Sequence, residues 1–252
     1  MKRIIKRSGS FAALLIVWEV VSHMQLMNPS LWPPPTKVLF AFAEMFLSGD
    51  LQRDVPTSFL RAVSGLAVGT AFGIIIGIIT AKIDTADHCF TPLIQLLRPL
   101  PPVAIIPLVI VWLGIGEVSK LFSISFAVFF PVWINTYLGA RQVPESLIWS
   151  AQSLKVRGVA VLWKVILPAS LPFILVGIRT GVAIAFVMVF VSELAGASVG
   201  VGYQISVSHL AYRVDRMLAA LTILGVLGYF TDLTLTAAAK RAFPWLKLSG
   251  QA

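Results

Sequence analysis

The stretch AVSGLAVGTAFGIIIGIITA, Ala62 to Ala81, runs for 20 residues without a charge. At about 1.5 Å of rise per residue it reaches about 30 Å as a helix, the thickness of a bilayer's hydrocarbon core. Gly65, Gly69, Gly73 and Gly77 fall four apart within it, and Ala81 continues the series. One stripe of the helix therefore lacks side chains, so a neighbouring helix can approach closely along it. Outward from this segment the chain keeps the same character. Of its 252 residues, 58% are hydrophobic and 12% charged, the latter about half the roughly 25% usual in soluble domains. Mean hydropathy is +0.89. This composition excludes an ordinary soluble enzyme and defines an all-α polytopic membrane protein.

Residues 121–140 form a second uncharged run, and residues 93–114 carry only Gln95 and Arg98 among apolar residues. Pro99, Pro101, Pro102 and Pro107 predict broken or kinked backbone at the start of that span. Residues 11–27 follow Lys2, Arg3, Lys6 and Arg7 but contain Glu19 and His23 and lack a small-x-small cleavage site, which favours a retained first span over a signal peptide. Spans at 171–194, with Arg179 and Glu193, and 217–239, with Asp232, complete six helices in one transmembrane domain covering 1–252. An even number puts both termini on one side. With the amino terminus inside, the inner Lys and Arg are Lys2, Arg3, Lys6, Arg7, Lys82, Arg98, Arg141, Lys155, Arg157, Lys164, Lys240, Arg241 and Lys247, against Lys37, Arg53, Arg61, Lys120, Arg213 and Arg216 outside. This excess predicts cytoplasmic termini. The net charge of +9 thus serves topology; its residues sit in short clusters between apolar runs and do not point to nucleic acid. The outer loop 28–60 opens with SLWPPPT, where Trp32 suits an interfacial anchor and Pro33 to Pro35 an extended strut. Cys89 is the single cysteine, so no intrachain disulfide can form.

The longest inner connection is VPESLIWSAQSLKVRGVAVLWKVILPASLP, Val143 to Pro172. Pro144 suits a first helical position and Glu145 the positive end of the helix dipole. Leu147, Ala151 and Leu154 share one face; after Gly158, Val159, Leu162, Trp163 and Ile166 repeat the i, i+3, i+4, i+7 pattern. The spacing predicts two short amphipathic helices in a loop at about 143–168, separated from the fifth span by Pro168 and Pro172. Such helices lie on lipid beside Lys155, Arg157 and Lys164, or dock a cytoplasmic partner.

This loop resembles the "EAA" loop in permease subunits of binding-protein-dependent ABC importers, whose pattern is E-A-A-x-x-x-G and then, after a spacer, an apolar pair with L-P. WSAQSLK, Trp149 to Lys155, occupies the first part and ILP, Ile166 to Pro168, the second. Ala151, Leu167 and Pro168 match and Ser150 is a near match, while Trp149 stands in place of Glu and Lys155 in place of Gly. RPLPPVAIIPLVIVWLGIGEVSK (98–120), FFPVWINTYLG (129–139) and SELAGASVGVGYQI (192–205) look like the nitrate, sulfonate and taurine branch. The resemblance implies a type I ABC importer permease-like fold in a bacterial inner membrane. It implies a homodimer embedded in lipid, two copies of a separate ATPase, an extracytoplasmic solute-binding protein, and a small oxyanion such as a sulfonate, taurine or nitrate as substrate. Glu145, Trp149, Ser150, Ala151, Lys155, Gly158, Leu167 and Pro168 would then form the ATPase-coupling loop; Glu145, one turn before Trp149, either serves the helix dipole alone or stands in for the missing Glu.

No G-x-x-x-x-G-K-[ST] occurs, so the chain cannot by itself cradle ATP phosphates; the resemblance implies that it binds no cofactor, performs no catalysis, and relies on ATP used by its partner ATPase. Gly196 to Gly200 matches G-x-S-x-G, yet His209 is the only downstream histidine and no carboxylate precedes Asp215 to orient it, which favours a glycine-rich helix exit. His23, His88 and His209 lack metal-ligand spacing. The alternative function is an ion-coupled secondary transporter, because Glu19, Arg179, Glu193 and Asp232 lie in or near spans, although Arg179 and Glu193 are close enough to predicted boundaries to snorkel.

Overall fold

The structure is a computed structural model that describes residues 2–24, 28 and 30–245, with backbone alone at residues 2–8, 10 and 11. In chain order the helices are α1 (Lys2–His23), α2 (Pro35–Leu47), α3 (Asp50–Lys82), α4 (Asp84–Leu97), α5 (Ile106–Leu113), α6 (Glu117–Arg141), α7 (Glu145–Ser153), α8 (Val159–Val161), α9 (Leu167–Leu194), α10 (Val201–Leu210) and α11 (Val214–Ala242). Among the described residues there is no strand. Asp50–Lys82, Glu117–Arg141, Val159–Leu194 and Val214–Ala242 are each long and apolar enough to cross a bilayer. Asp84–Leu97 and Pro102–Leu113 qualify together as one broken span, bent by 89°. Ala12–His23, within α1, is apolar but shorter, and residues 25–27 of the expected first span lie outside the described residues.

Three expectations are corrected. The segment after Asn28 is not a strut and a loop: Pro34 is extended (φ −67°, ψ 153°), but Pro35 opens α2, where its missing N–H has no helical partner to lose. α2 buries Ala41 and Met45, and α3 begins at Asp50, well before Ala62. The third span is broken at its prolines as expected, but it begins earlier than residue 93: α4 starts at Asp84 and stops at Leu97 because Pro99, Pro101 and Pro102 cannot continue it. Finally, Pro168 and Pro172 do not separate the loop at about 143–168 from the fifth span. α8, a π turn (Leu162–Ile166) and α9 run on as one helix of 36 residues. The wider turn sits where the Pro168 ring would otherwise crowd the Lys164 carbonyl.

The core is three helices deep. α3 and α6 run parallel, because Gly65, Gly69, Gly73 and Gly77 face Ile124, Val128, Val132 and Thr136 in ascending order. A Cβ at Gly69 would lie 2.6 Å from the Ser125 carbonyl oxygen, and one at Gly73 or Gly77 would lie 2.8 Å from the Cβ of Val132 or Thr136. The facing residues are all β-branched, hence stiff at χ1. α9 crosses in the opposite sense: Gly181 meets Val128, and Gly177 meets Pro131 and Val132. Buried Val182, Ala185 and Val189 of α9 close the core from that side. Near one end the fully buried Trp133 donates its Nε1–H to Thr80 Oγ1 at 3.2 Å.

Candidate functional site

At the end of α6 that carries Arg141, the chain turns into α7. Pro144 caps α7 in extended conformation (φ −60°, ψ 135°), and Glu145, not Pro144, is the first helical residue. The helix closes with the Lys155 N–H donating to the Gln152 carbonyl and the Val156 N–H to the Ala151 carbonyl, both at 2.9 Å, the two bonds of a Schellman closure. Lys155 therefore sits in the left-handed region at φ 63°. This is the position where the importer pattern has glycine, which adopts that conformation without strain. Gly158 also has positive φ, 60°, and precedes α8.

α7 folds back on α8 and the π turn, and Ala151 is its buried residue. Glu145, Trp149, Ser150 and Lys155 are exposed, while Leu167 and Pro168 are half-buried at the start of α9. Leu147 and Leu154, grouped with Ala151 by periodicity, point instead to the surface. Together with Trp149, Val159 and Trp163 they form an apolar set between 47% and 79% exposed, edged by exposed Lys155, Arg157 and Lys164. An exposed apolar patch rimmed by polar residues is the signature of an interaction surface.

About 36 Å away, at the other end of α6, a buried polar network joins α3, α6, α9 and the loop before α10. The Glu193 carboxylate, 1% exposed, accepts hydrogen bonds from Ser58 Oγ at 2.7 Å, Arg61 Nη1 at 2.7 Å and the Gly202 N–H at 2.8 Å. Arg61 also donates to Glu117 Oε2 at 2.7 Å and to the Val199 carbonyl at 2.6 Å. Asp54, fully buried, accepts from the Gly200 N–H at 3.0 Å and from Gln204 Nε2. A Cβ at Gly200, whose φ is 133°, would lie 2.5 Å from the Glu193 carboxylate, so only glycine fits. Sequence reasoning missed Asp54, Ser58, Glu117 and Gln204 altogether. A usable signal was there: Arg61 and Glu193 carry opposite charges at the same end of two spans.

The charges that favoured an ion-coupled carrier are partnered. Glu193 does not snorkel but pairs with Arg61. Arg179 forms a bidentate pair with Asp232, Nε and Nη2 each 2.8 Å from a carboxylate oxygen. Glu19 accepts from Thr36 Oγ1 at 2.8 Å and from its N–H at 3.1 Å. Each of these carboxylates is thus hydrogen-bonded within the chain itself.

These features are those of a polytopic helical membrane protein whose intramembrane charges are paired and whose α7–α8 hairpin presents apolar side chains at one end. The chain belongs to the family described as binding-protein-dependent transport system inner membrane component, whose family model matches residues 69–243. It is 35% identical over 242 residues to the taurine transport system permease protein TauC of Escherichia coli (strain K12), covering 94% of this chain and 88% of that one. To the putative aliphatic sulfonates transport permease protein SsuC of Bacillus subtilis (strain 168) it is 35% identical over 234 residues, covering 93% and 85%. The fold matches the solved MetNI methionine ABC transporter with a TM-score of 0.58 at 17% identity, covering 77% of this chain and 95% of that chain. An amino acid ABC transporter solved with histidines matches with a TM-score of 0.59 at 15% identity, covering 82% and 97%. The chain is a multi-pass inner-membrane permease subunit of an ABC transport system, a partner of an ABC ATPase and a binding protein, and not an enzyme.

Proposed function

We propose that two copies of this chain form the path of a small sulfonate or related oxyanion, each a single domain of six spans with both termini cytoplasmic, and that α7 and α8 seat in the ATPase. The names of the relatives, taurine and aliphatic sulfonate permeases, support the substrate class. The observation that carries the coupling role is the exposed set Leu147, Trp149, Leu154, Val159 and Trp163. Burial of these apolar side chains against the partner is favourable, and what exceeds the ordering and association costs appears as affinity. Glu145, about 6 Å along the helix from Trp149, is exposed and takes the part of the family's Glu toward an ATPase arginine. Ala151, buried against the hairpin, and half-buried Leu167 and Pro168 shape it, and exposed Gly158 turns it at positive φ. ATP stays with the ATPase. Its binding energy reaches the substrate path only through contacts that differ between inward-open and outward-open states.

Trp163→Asp tests this. Trp163 is 64% exposed, so the variant should insert normally yet bind the ATPase at least about tenfold more weakly, a loss of about 1.4 kcal/mol, and lose uptake. Unchanged ATPase affinity and uptake would overturn the docking assignment. A double-mutant cycle of Glu145→Gln against an ATPase Arg→Ala reads Glu145 separately, since additive effects would leave it only a helix-dipole role.

A further inference from the structure

Between α9 and α11 lies an open groove of about 730 Å³, lined by Phe186, Gly225, Tyr229 and other apolar residues around Arg179 and Asp232. α11 is the least buried of the four long spans. The charged pair lies far from the ends of its helices: Arg179 is about 18 Å from the start of α9 and Asp232 about 15 Å from the end of α11. Even so, the Arg179 side chain is 44% exposed and that of Asp232 33%. A half-open ion pair facing hydrocarbon so far from the helix ends is costly, and intramembrane charges face a bundle interior or a water-filled cavity. The groove is therefore a wet face. Asp232 occupies Nε and Nη2 of Arg179; of the five N–H donors of the guanidinium, those on Nη1 meet no acceptor among the described residues.

We propose that this groove is an anion site on the transport path, in which the oxyanion head of a sulfonate contacts the free Nη1 edge of Arg179. This rests on the permease reading above. Asp232 is a positioning residue: the bidentate pair fixes the guanidinium plane and offsets its charge. A lone guanidinium in a low-dielectric groove would hold an anion too firmly, whereas a path needs binding strong enough to admit a solute and weak enough to release it. Phe186 and Tyr229 give the alkyl part of an aliphatic sulfonate an apolar wall.

The test places a thiol in the groove. A Cβ at Gly225 meets nothing within 4 Å, and Gly225 lies two helical turns, about 10 Å, from Asp232. In the full-length protein in proteoliposomes, with Cys89→Ser removing the native thiol, Gly225→Cys is treated with an ethylsulfonate methanethiosulfonate and with its trimethylammonium counterpart. The anionic reagent should label faster, and Arg179→Gln should lower its rate about tenfold relative to the cationic reagent. Asp232→Asn should raise it. Failure of both reagents to label, or rates indifferent to Arg179→Gln and Asp232→Asn, would overturn the site. Should Arg179→Gln not fold, Asp232→Asn decides alone, by a rise or by no change. Labelling needs no ATPase, so a negative result here is distinct from a failure of ATPase docking.

Discussion

Replacing Gly73 with alanine separates close helix packing from the mere abundance of glycine in membrane helices. The added Cβ would lie 2.8 Å from both Cβ and Cγ1 of Val132 and 3.1 Å from the Phe129 carbonyl oxygen. Carbon atoms prefer a separation of about 3.5–4.0 Å, so either Val132 yields or α6 withdraws by about 1 Å. Val132 is fully buried and β-branched, which closes the first route. Withdrawal opens the adjoining contacts at Gly69 and Gly77 as well. Overpacking of this sort costs about 1–3 kcal/mol, while the better helix propensity of alanine returns about 1 kcal/mol. Gly225→Ala is the control: its Cβ meets open space, so only the propensity gain applies. The difference between the two variants, about 1–3 kcal/mol in favour of Gly225→Ala, isolates the overpacking. Unfolding by SDS titration in detergent micelles measures both. Equal responses would refute the reading of the α3 stripe as a packing seam.

Lys155→Gly should stabilise the hairpin by about 1 kcal/mol, because it removes a side chain from the left-handed region; an unchanged midpoint in the same titration would count against strain there. Glu193→Gln leaves Arg61 with Glu117 and Val199 but without its buried anion, and should cost about 3 kcal/mol, the lower end for breaking a buried pair. A variant as stable as wild type would show the network to be dispensable. The hydrogen bonds from Arg216 and then Arg213 hold the Glu44 carboxyl below the usual glutamate range. A carboxylate so depressed stabilises above its unfolded value and loses that contribution as pH falls through the lowered one. The gap in unfolding midpoint between wild type and Glu44→Gln should therefore persist at neutral pH and close on acidification. A gap constant across the carboxylate range would refute the tie between α2 and α11.

The long spans were legible because an uncharged 20-residue run has few ways to satisfy its backbone except as a membrane helix. The spacing of Gly65 to Gly77 likewise reads directly as a stripe. Proline was the less reliable guide. Pro35 reads as part of a strut or as a helix start with equal local sense, and what decides is whether Ala41 and Met45 find a surface to bury against. Pro168 reads as a break, yet a π turn absorbs it. Ala151 shows the limit of periodicity, which identifies a helix face but not whether that face meets the chain itself or a partner. The Glu193 network could not be read locally at all, since Ser58 and Arg61 are more than 130 residues away from it in sequence.

The unbroken run from Val159 to Leu194 has a mechanical meaning. It carries Trp163 at one end and Glu193 at the other, about 45 Å apart along a single helix axis, with Arg179 between them. No loop intervenes to dissipate a displacement, so under the proposed docking the run would act as a push-rod, carrying a shove on the hairpin to the clasp around Glu193 at full length. Its irregular points lie near the hairpin: Pro172, which lacks an N–H for the helical ladder, and the π turn at Leu162–Ile166, a place where a helix can change pitch. The push-rod therefore has its joint beside the surface where force would enter, and its stiff length runs through the bundle.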